Sequence, residues 1–218
     1  MSSQTRLAQL LCSRLCHDLV GPAGAVNAGL ELAEDGDVDE ATLGLMTESA
    51  AEITRRLAFF RVAFGAGGGK ASVEGTLSLN EAQALAGDLL TESKSKLEWA
   101  AGAHAPDALS ATVGKVLLLM ILVATDFLPR GGRISVHVAE LPEGIGMAVT
   151  ALGQGARLRA DLGEGLTAES ADETVTARNI HAFYAQQLAR QGGGRIEPEI
   201  AGEDEIRLMA LFPKENVE

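Results

Sequence analysis

Aromatic residues are scarce in this 218-residue chain: six Phe, one Tyr and one Trp, 4% in all. A core without many large rings must be closed by Ala, Leu and Gly, which favours helices at close approach. Basic residues are also few, 18 Lys and Arg against 30 Asp and Glu, for a formal net charge of −12. A surface of that sign repels phosphate backbones and argues against direct nucleic-acid binding. Long apolar runs are missing. The longest, residues 116–124, falls far short of the roughly 20 residues that span a bilayer, and Lys115 and Asp126 flank it. No basic stretch followed by an apolar one opens the chain, so no signal peptide is expected; the reading is a cytoplasmic protein with no membrane contact. The only cysteines, Cys12 and Cys16, stand one helical turn apart with no further ligands at zinc spacing. They are expected to be small buried thiols rather than metal ligands.

With 46% hydrophobic and 22% charged residues, the chain can build a substantial core. Its most informative segment is His17-Asp18-Leu19-Val20-Gly21-Pro22. Leu11, Leu15, Leu19, Val26 and Leu30 recur at steps of three and four or their sums, which predicts a helix over residues 4–33 with these side chains as a buried stripe. At about 100° per residue, His17 lies about 200° from both Leu15 and Leu19, on the watery side. An imidazole nitrogen on that side can act as a nucleophile. Asp35-Gly36-Asp37 reads as a turn, with Asp37 or Asp39 able to cap the next helix. That helix should run to about Phe64, its positions Leu43, Met46, Ala50, Ile53, Leu57, Phe60 and Phe64 forming a heptad seam. A hairpin of two such helices cannot bury both faces alone, and a second copy completing a four-helix bundle is the simplest remedy. A homodimer is therefore expected.

Three regions follow: a helical hairpin over residues 1–65, a glycine-rich linker over 66–75, and an α/β sandwich over 76–218. In the last, Ser78-Leu79-Asn80-Glu81 is a capping box opening a helix to about Thr91. Strands are expected at 97–101, 133–141, 145–152, 195–200 and 205–212, and helices at 109–128 and 173–190. Helices and strands in this order suggest an α+β fold with two layers. His104, His137 and His181 lack a chemical context and read as structural or surface residues.

In layout the chain resembles a histidine kinase: a hairpin bearing a phospho-accepting histidine, then an ATP-binding module. The segment from His17 to Pro22 matches the kinase pattern of histidine, acid, leucine, two variable residues and proline. The module's ATP apparatus is missing at three places. Leu119 and Val123 stand where the kinase helix has asparagines, one of which holds Mg²⁺, and neither can ligate an ion that requires oxygen. Ala151-Leu152-Gly153-Gln154-Gly155 keeps the glycines of the adenine-reading turn but not its carboxylate. Ile180-His181-Ala182-Phe183-Tyr184 replaces a glycine-rich lid.

A hairpin with a degenerate module resembles the ChpT-type histidine phosphotransferases of alphaproteobacterial phosphorelays. Leu11-Cys12-Ser13-Arg14-Leu15-Cys16-His17-Asp18-Leu19-Val20-Gly21-Pro22, Asn27-Ala28-Gly29-Leu30-Glu31-Leu32 and Phe59-Phe60-Arg61-Val62-Ala63-Phe64-Gly65 carry the likeness. The resemblance implies that His17 relays a phosphoryl group between receiver-domain aspartates, without ATP and with no cofactor of its own, Mg²⁺ coming with the receiver. It implies a CckA-like donor and CtrA-like and CpdR-like acceptors. Asp18 would orient the ring or hold its proton; the other reading is a solvated carboxylate paired with Arg14. Hairpin geometry sets His17 level with about Arg55, so Arg14, Arg55 and Arg56 are candidates for offsetting phosphoryl charge, or else ordinary surface arginines. Gly21 and Gly24, at steps of four and seven from His17, and Pro22 would leave the helix bare where a receiver approaches. Gly21 also offers no polar group to position a hydrolytic water, which implies weak phosphatase activity. An active ATP-dependent kinase and a non-catalytic dimeric scaffold remain open alternatives on the residues alone.

Overall fold

The computed structural model describes residues 3–36, 39–65, 75–91, 93–101 and 104–214. Two long antiparallel helices come first, α1 (Ser3–Glu34) and α2 (Glu40–Ala63). Gly36 turns the chain between them at φ +79°, a conformation in which a Cβ is unfavourable. Asp39 caps α2, its Oδ1 accepting from the Thr42 N–H at 2.7 Å. The helices approach closely at Gly29, which is buried under the Met46 side chain with no room for a Cβ. Of the proposed turn, Asp37 lies outside the described residues, as do residues 66–74 of the proposed linker, including Gly67-Gly68-Gly69.

The remainder is a two-layer α+β unit. β1 (Thr76–Ser78) pairs antiparallel with β3 (Ala108–Ser110). Ser78 caps α3 (Leu79–Leu90), its Oγ accepting from the Glu81 N–H at 3.1 Å, the serine half of the expected capping box. The main sheet has the order β2-β4-β5-β7-β6, formed by β2 (Ser95–Ala101), β4 (Gly132–Leu141), β5 (Gly144–Leu152), β6 (Arg195–Gly202) and β7 (Glu205–Pro213). Only β2 and β4 run parallel; every other neighbouring pair is antiparallel. Alternation sends Ile134, Val136, Val138, Met147, Val149, Ala151, Ile206 and Leu208 inward. There they meet α4 (Ala111–Thr125), whose residues 116–124 are all buried. A helix apolar on every side belongs in the middle, and α4 is packed between the sheet, the hairpin and α6 (Ile180–Gln191).

Some expectations need correction. The chain does not turn helical at Leu109, which is a buried residue of β3; α4 starts at Ala111 behind its Ser110 cap. The helix expected over 173–190 starts only at Ile180. Asn179 explains the delay: its Oδ1 accepts from the Thr176 N–H at 2.7 Å, and its Nδ2 donates to the carbonyls of Asp161 and Thr174. A short polar side chain thus holds the backbone in turns. A short helix, α5 (Ala160–Thr167), went unforeseen because Gly163 and Gly165 interrupt it; buried Leu162 and Leu166 anchor it. Cys12 and Cys16 are free and exposed, not buried. The helix 1 stripe is only partly covered, with Leu30 exposed, and Leu43, Ala50 and Leu57 of the helix 2 seam are exposed as well. One chain supplies two helices, and the other half of the expected bundle is not within it.

Candidate functional site

α1 lies against the α/β unit along its first turns. Leu7, Leu10 and Leu11 pack on Val175, Ile180 and Phe183, and Arg6 donates to the Val175 carbonyl at 3.1 Å. At the hairpin's root, Phe64 stacks on Tyr184 of α6 with ring centroids 5.8 Å apart. Between these supports a cleft of about 480 Å³ opens, and His17 lies on its rim. Arg14, Asp18, Arg56, Asp126, Arg159 and Arg178 line it with His17, over an apolar floor that includes Phe60 and Leu122.

The His17 side chain is 83% exposed, so the facing inferred from the helical period holds. Its Nδ1 lies 3.3 Å from Asp18 Oδ1. A carboxylate oxygen accepts, so in the tautomer with its proton on Nδ1 the ring donates to Asp18 and the Nε2 lone pair is free. Asp18 is itself held: Arg14 Nε donates to its Oδ2 at 2.9 Å. Arg14 also reaches Asp126 Oδ2 from Nη1 at 3.5 Å. Asp18 thus touches the ring and pairs with Arg14, and at 10% exposure it is not the solvated carboxylate of the second alternative.

Asp126 follows α4 directly, its backbone N–H closing that helix. On its other side His181 Nε2 stands 3.2 Å from Oδ2, but the contact is poorly aligned and neither ring nitrogen makes a proper hydrogen bond. Burial works against the Asp126 carboxylate, yet the His181 contact and the charges of Arg14 and Arg159 outweigh it and hold the carboxyl below its usual range. Complete burial pushes the His181 ring below its ordinary 6.5, over the opposing pull of Asp126. With the His181 ring resisting a proton, the guanidinium groups of Arg14 and Arg159 carry the charge that compensates Asp126.

This pair gives a pH prediction. In the unfolded chain the ring takes a proton near 6.5, whereas in the folded chain it resists, so acidification favours unfolding. Stability from His181 is complete above 6.5 and declines below it; Asp126, also lowered, adds a loss at more acid pH. The urea midpoint is expected to fall between pH 7.5 and 5.5, and less steeply in His181→Gln. Equal slopes in the two proteins would remove His181 from the account.

The expected site residues divide. Arg14, His17, Asp18 and Arg56 share the cleft. Arg56 is paired with Glu52 at 2.6 Å. Arg55, expected level with His17, turns away to pair with Glu48 and does not line this cleft. Gly21 and Gly24 are exposed with open space about them, and Pro22 sits inside α1. Asp126, Arg159, Arg178 and His181 were missed as site residues. Arg159 pairs with Asp161, while Arg178 is exposed. His104 and His137 are exposed and His181 is buried.

Comparison with known proteins gives this geometry its context. The profile of a family described as the histidine phosphotransferase C-terminal domain matches residues 79–204. A protein of Brucella abortus (strain 2308) named protein phosphotransferase ChpT is 33% identical over 198 residues, 91% of this chain and 92% of that one. The chain belongs to the histidine phosphotransferase family. A bacterial phosphotransferase of known structure shares its fold, with a TM-score of 0.81 at 30% identity over 96% of this chain and 97% of that one. The histidine kinase AdeS of Acinetobacter baumannii is similar in fold alone, with a TM-score of 0.51 at 12% identity over 92% of this chain and 98% of that one.

The fold of this phosphotransferase is kinase-like, and the chemistry of two α4 positions bears on Mg²⁺. Leu119 and Val123 are wholly buried hydrocarbon, so those positions do not fit Mg²⁺. The turn over residues 151–155 is formed: Gly155 holds φ +75° and its N–H donates to Asp204 Oδ1 at 2.7 Å. No helix among the described residues is long and apolar enough to cross a membrane.

Proposed function

We propose that this phosphotransferase relays a phosphoryl group between aspartates of response-regulator receiver domains through His17. The observation that carries the reading is an imidazole 83% exposed on the rim of an arginine-lined cleft, with a carboxylate on its far nitrogen. The Nε2 lone pair attacks the phosphorus of a receiver's aspartyl phosphate. The P–O bond breaks and the aspartate leaves with its electron pair. Nδ1 keeps its proton, and Asp18 faces the positive charge that the phosphorylated ring acquires. The reverse sequence loads the next receiver. Both bonds are reactive, so positioning and charge compensation supply most of the acceleration.

Mg²⁺ arrives with the receiver, and ATP plays no part. The resemblance to ChpT-type proteins points to a CckA-like donor and to CtrA-like and CpdR-like acceptors, all in the cytoplasm. The working unit is a homodimer. Leu43 and Leu57 are half exposed on the helix 2 seam, and Leu30 on α1, which supports a bundle completed by a second hairpin. The three regions 1–65, 66–75 and 76–218 serve in this reading as acceptor hairpin, tether and docking body.

Incubation with a receiver labelled on its aspartate, in Mg²⁺, tests the reading. Acid-labile label on His17 supports it. Absence of label favours a scaffold, and label from ATP alone favours a kinase. Gly21→Leu adds a check on the approach path. Its Cβ meets nothing within 4 Å, and loss of a helical glycine favours the helix by about 1 kcal/mol. Stability should hold while transfer slows by about a hundredfold, since a misplacement of about 1 Å is that damaging. Stopped-time transfer assays beside thermal melts separate the two effects.

A further inference from the structure

Arg14 and Asp18 alone would be an i,i+4 pair on a helix surface, an arrangement usually weak and mobile. Here it is neither open nor isolated. Their side chains are only 15% and 10% exposed, and Arg14 extends to a third charged group, Asp126, on another part of the fold. Asp126 is well placed to be immobile. It ends the most deeply buried helix, and Phe127 and Leu128 directly after it are buried. The oxygen that faces Arg14 also faces the enclosed His181 ring, 3.2 Å away.

From this chain of contacts we infer that Asp126 is a positioning residue for His17. It fixes Arg14, Arg14 fixes Asp18, and Asp18 keeps the proton on Nδ1 so that Nε2 is the nucleophile. The inference rests on His17 being the phosphoryl acceptor. It gives the α/β unit a part in the chemistry that requires neither a nucleotide nor direct contact with the phosphoryl group. An unassisted imidazole prefers its proton on Nε2, which blocks the attacking lone pair, so the Nδ1 form has to be imposed. A carboxylate held at one oxygen by a fixed guanidinium presents the other in a constant direction. Without Asp126 the Arg14 fork is free to swing, and the Asp18 carboxylate rotates with it.

Asp126→Asn tests the inference because position and charge predict opposite signs. Neutralising a carboxylate near the cleft makes its potential more positive, which alone would speed acceptance of a phosphoryl group. Loss of positioning slows it, by about tenfold if the ring is poorly oriented. The expected result is slower labelling of His17 from a phosphorylated receiver, together with imidazole ¹⁵N shifts that move toward the Nε2-protonated form. Asp126→Glu should restore most of both. An unchanged ring spectrum in a folded variant, or an equal or faster rate, overturns the assignment. If Asp126→Asn does not fold, Arg14→Lys makes the same test, since an ammonium keeps the charge but lacks the planar fork that reaches Asp18 from Nε and Asp126 from Nη1. The ring spectrum needs no receiver, so the two readings fail separately. Label on His17 with an unmoved spectrum leaves the relay and removes Asp126 from it; a moved spectrum without label does the reverse.

Discussion

Replacing His17 by Ala should abolish phosphoryl acceptance, with a loss on the order of a thousandfold or more, as for other covalent nucleophiles. No other histidine can take over. His181 is sealed in the core, His137 points from the sheet face opposite the helices, and His104 lies in a turn whose backbone bonds to Glu140 at the end of β4. Arg14, Arg56, Arg159 and Arg178 could still attract a receiver's acidic pocket, so binding should outlast chemistry. The side chain is 83% exposed, so its truncation leaves no cavity and should change stability by only about 0.5 kcal/mol. Counting label retained after transfer, beside a pull-down of the receiver, separates lost chemistry from lost docking. Persistent label in the variant would place the acceptor elsewhere.

The second large effect concerns α4. Leu119→Asn restores the residue type that a kinase carries there, yet the expected result is damage. Leu119 is fully buried among hydrocarbon. The change removes apolar contacts and encloses an amide without an assured partner, at a combined cost of about 3–5 kcal/mol. Urea unfolding should show an earlier midpoint, and ATP binding should not appear in calorimetry. A cost below about 1 kcal/mol would mean that water reaches this position.

Much of this architecture could be read in advance because the relevant signals are local. Helix 1 and its exposed imidazole follow from leucine spacing, α3 from its capping box, and β4 and β5 from alternation around Pro142-Glu143. Tertiary effects were less accessible. Asn179 stops a helix by reaching a carbonyl eighteen residues away, and no window of sequence contains that bond. The Arg14–Asp126 contact spans 112 positions. Arg55 and Arg56 are adjacent in sequence, and an estimate of level along the hairpin could not decide which enters the cleft; helical rotation selects Arg56. Cys12 and Cys16 were misjudged for a related reason. Their helix face has no neighbour in the single chain, although their residue type usually seeks one.

Pro22 gives α1 two mechanical regimes. It has no N–H to offer the carbonyl of Asp18, so the helix is weakest within the turn that follows His17. Upstream, Leu7, Leu10 and Leu11 moor the rod to the α/β unit; downstream, it touches chiefly its hairpin partner. A load applied near the hairpin tip is therefore relieved by flexing at this proline, and the reactive ring, on the moored side of the joint, keeps its aim.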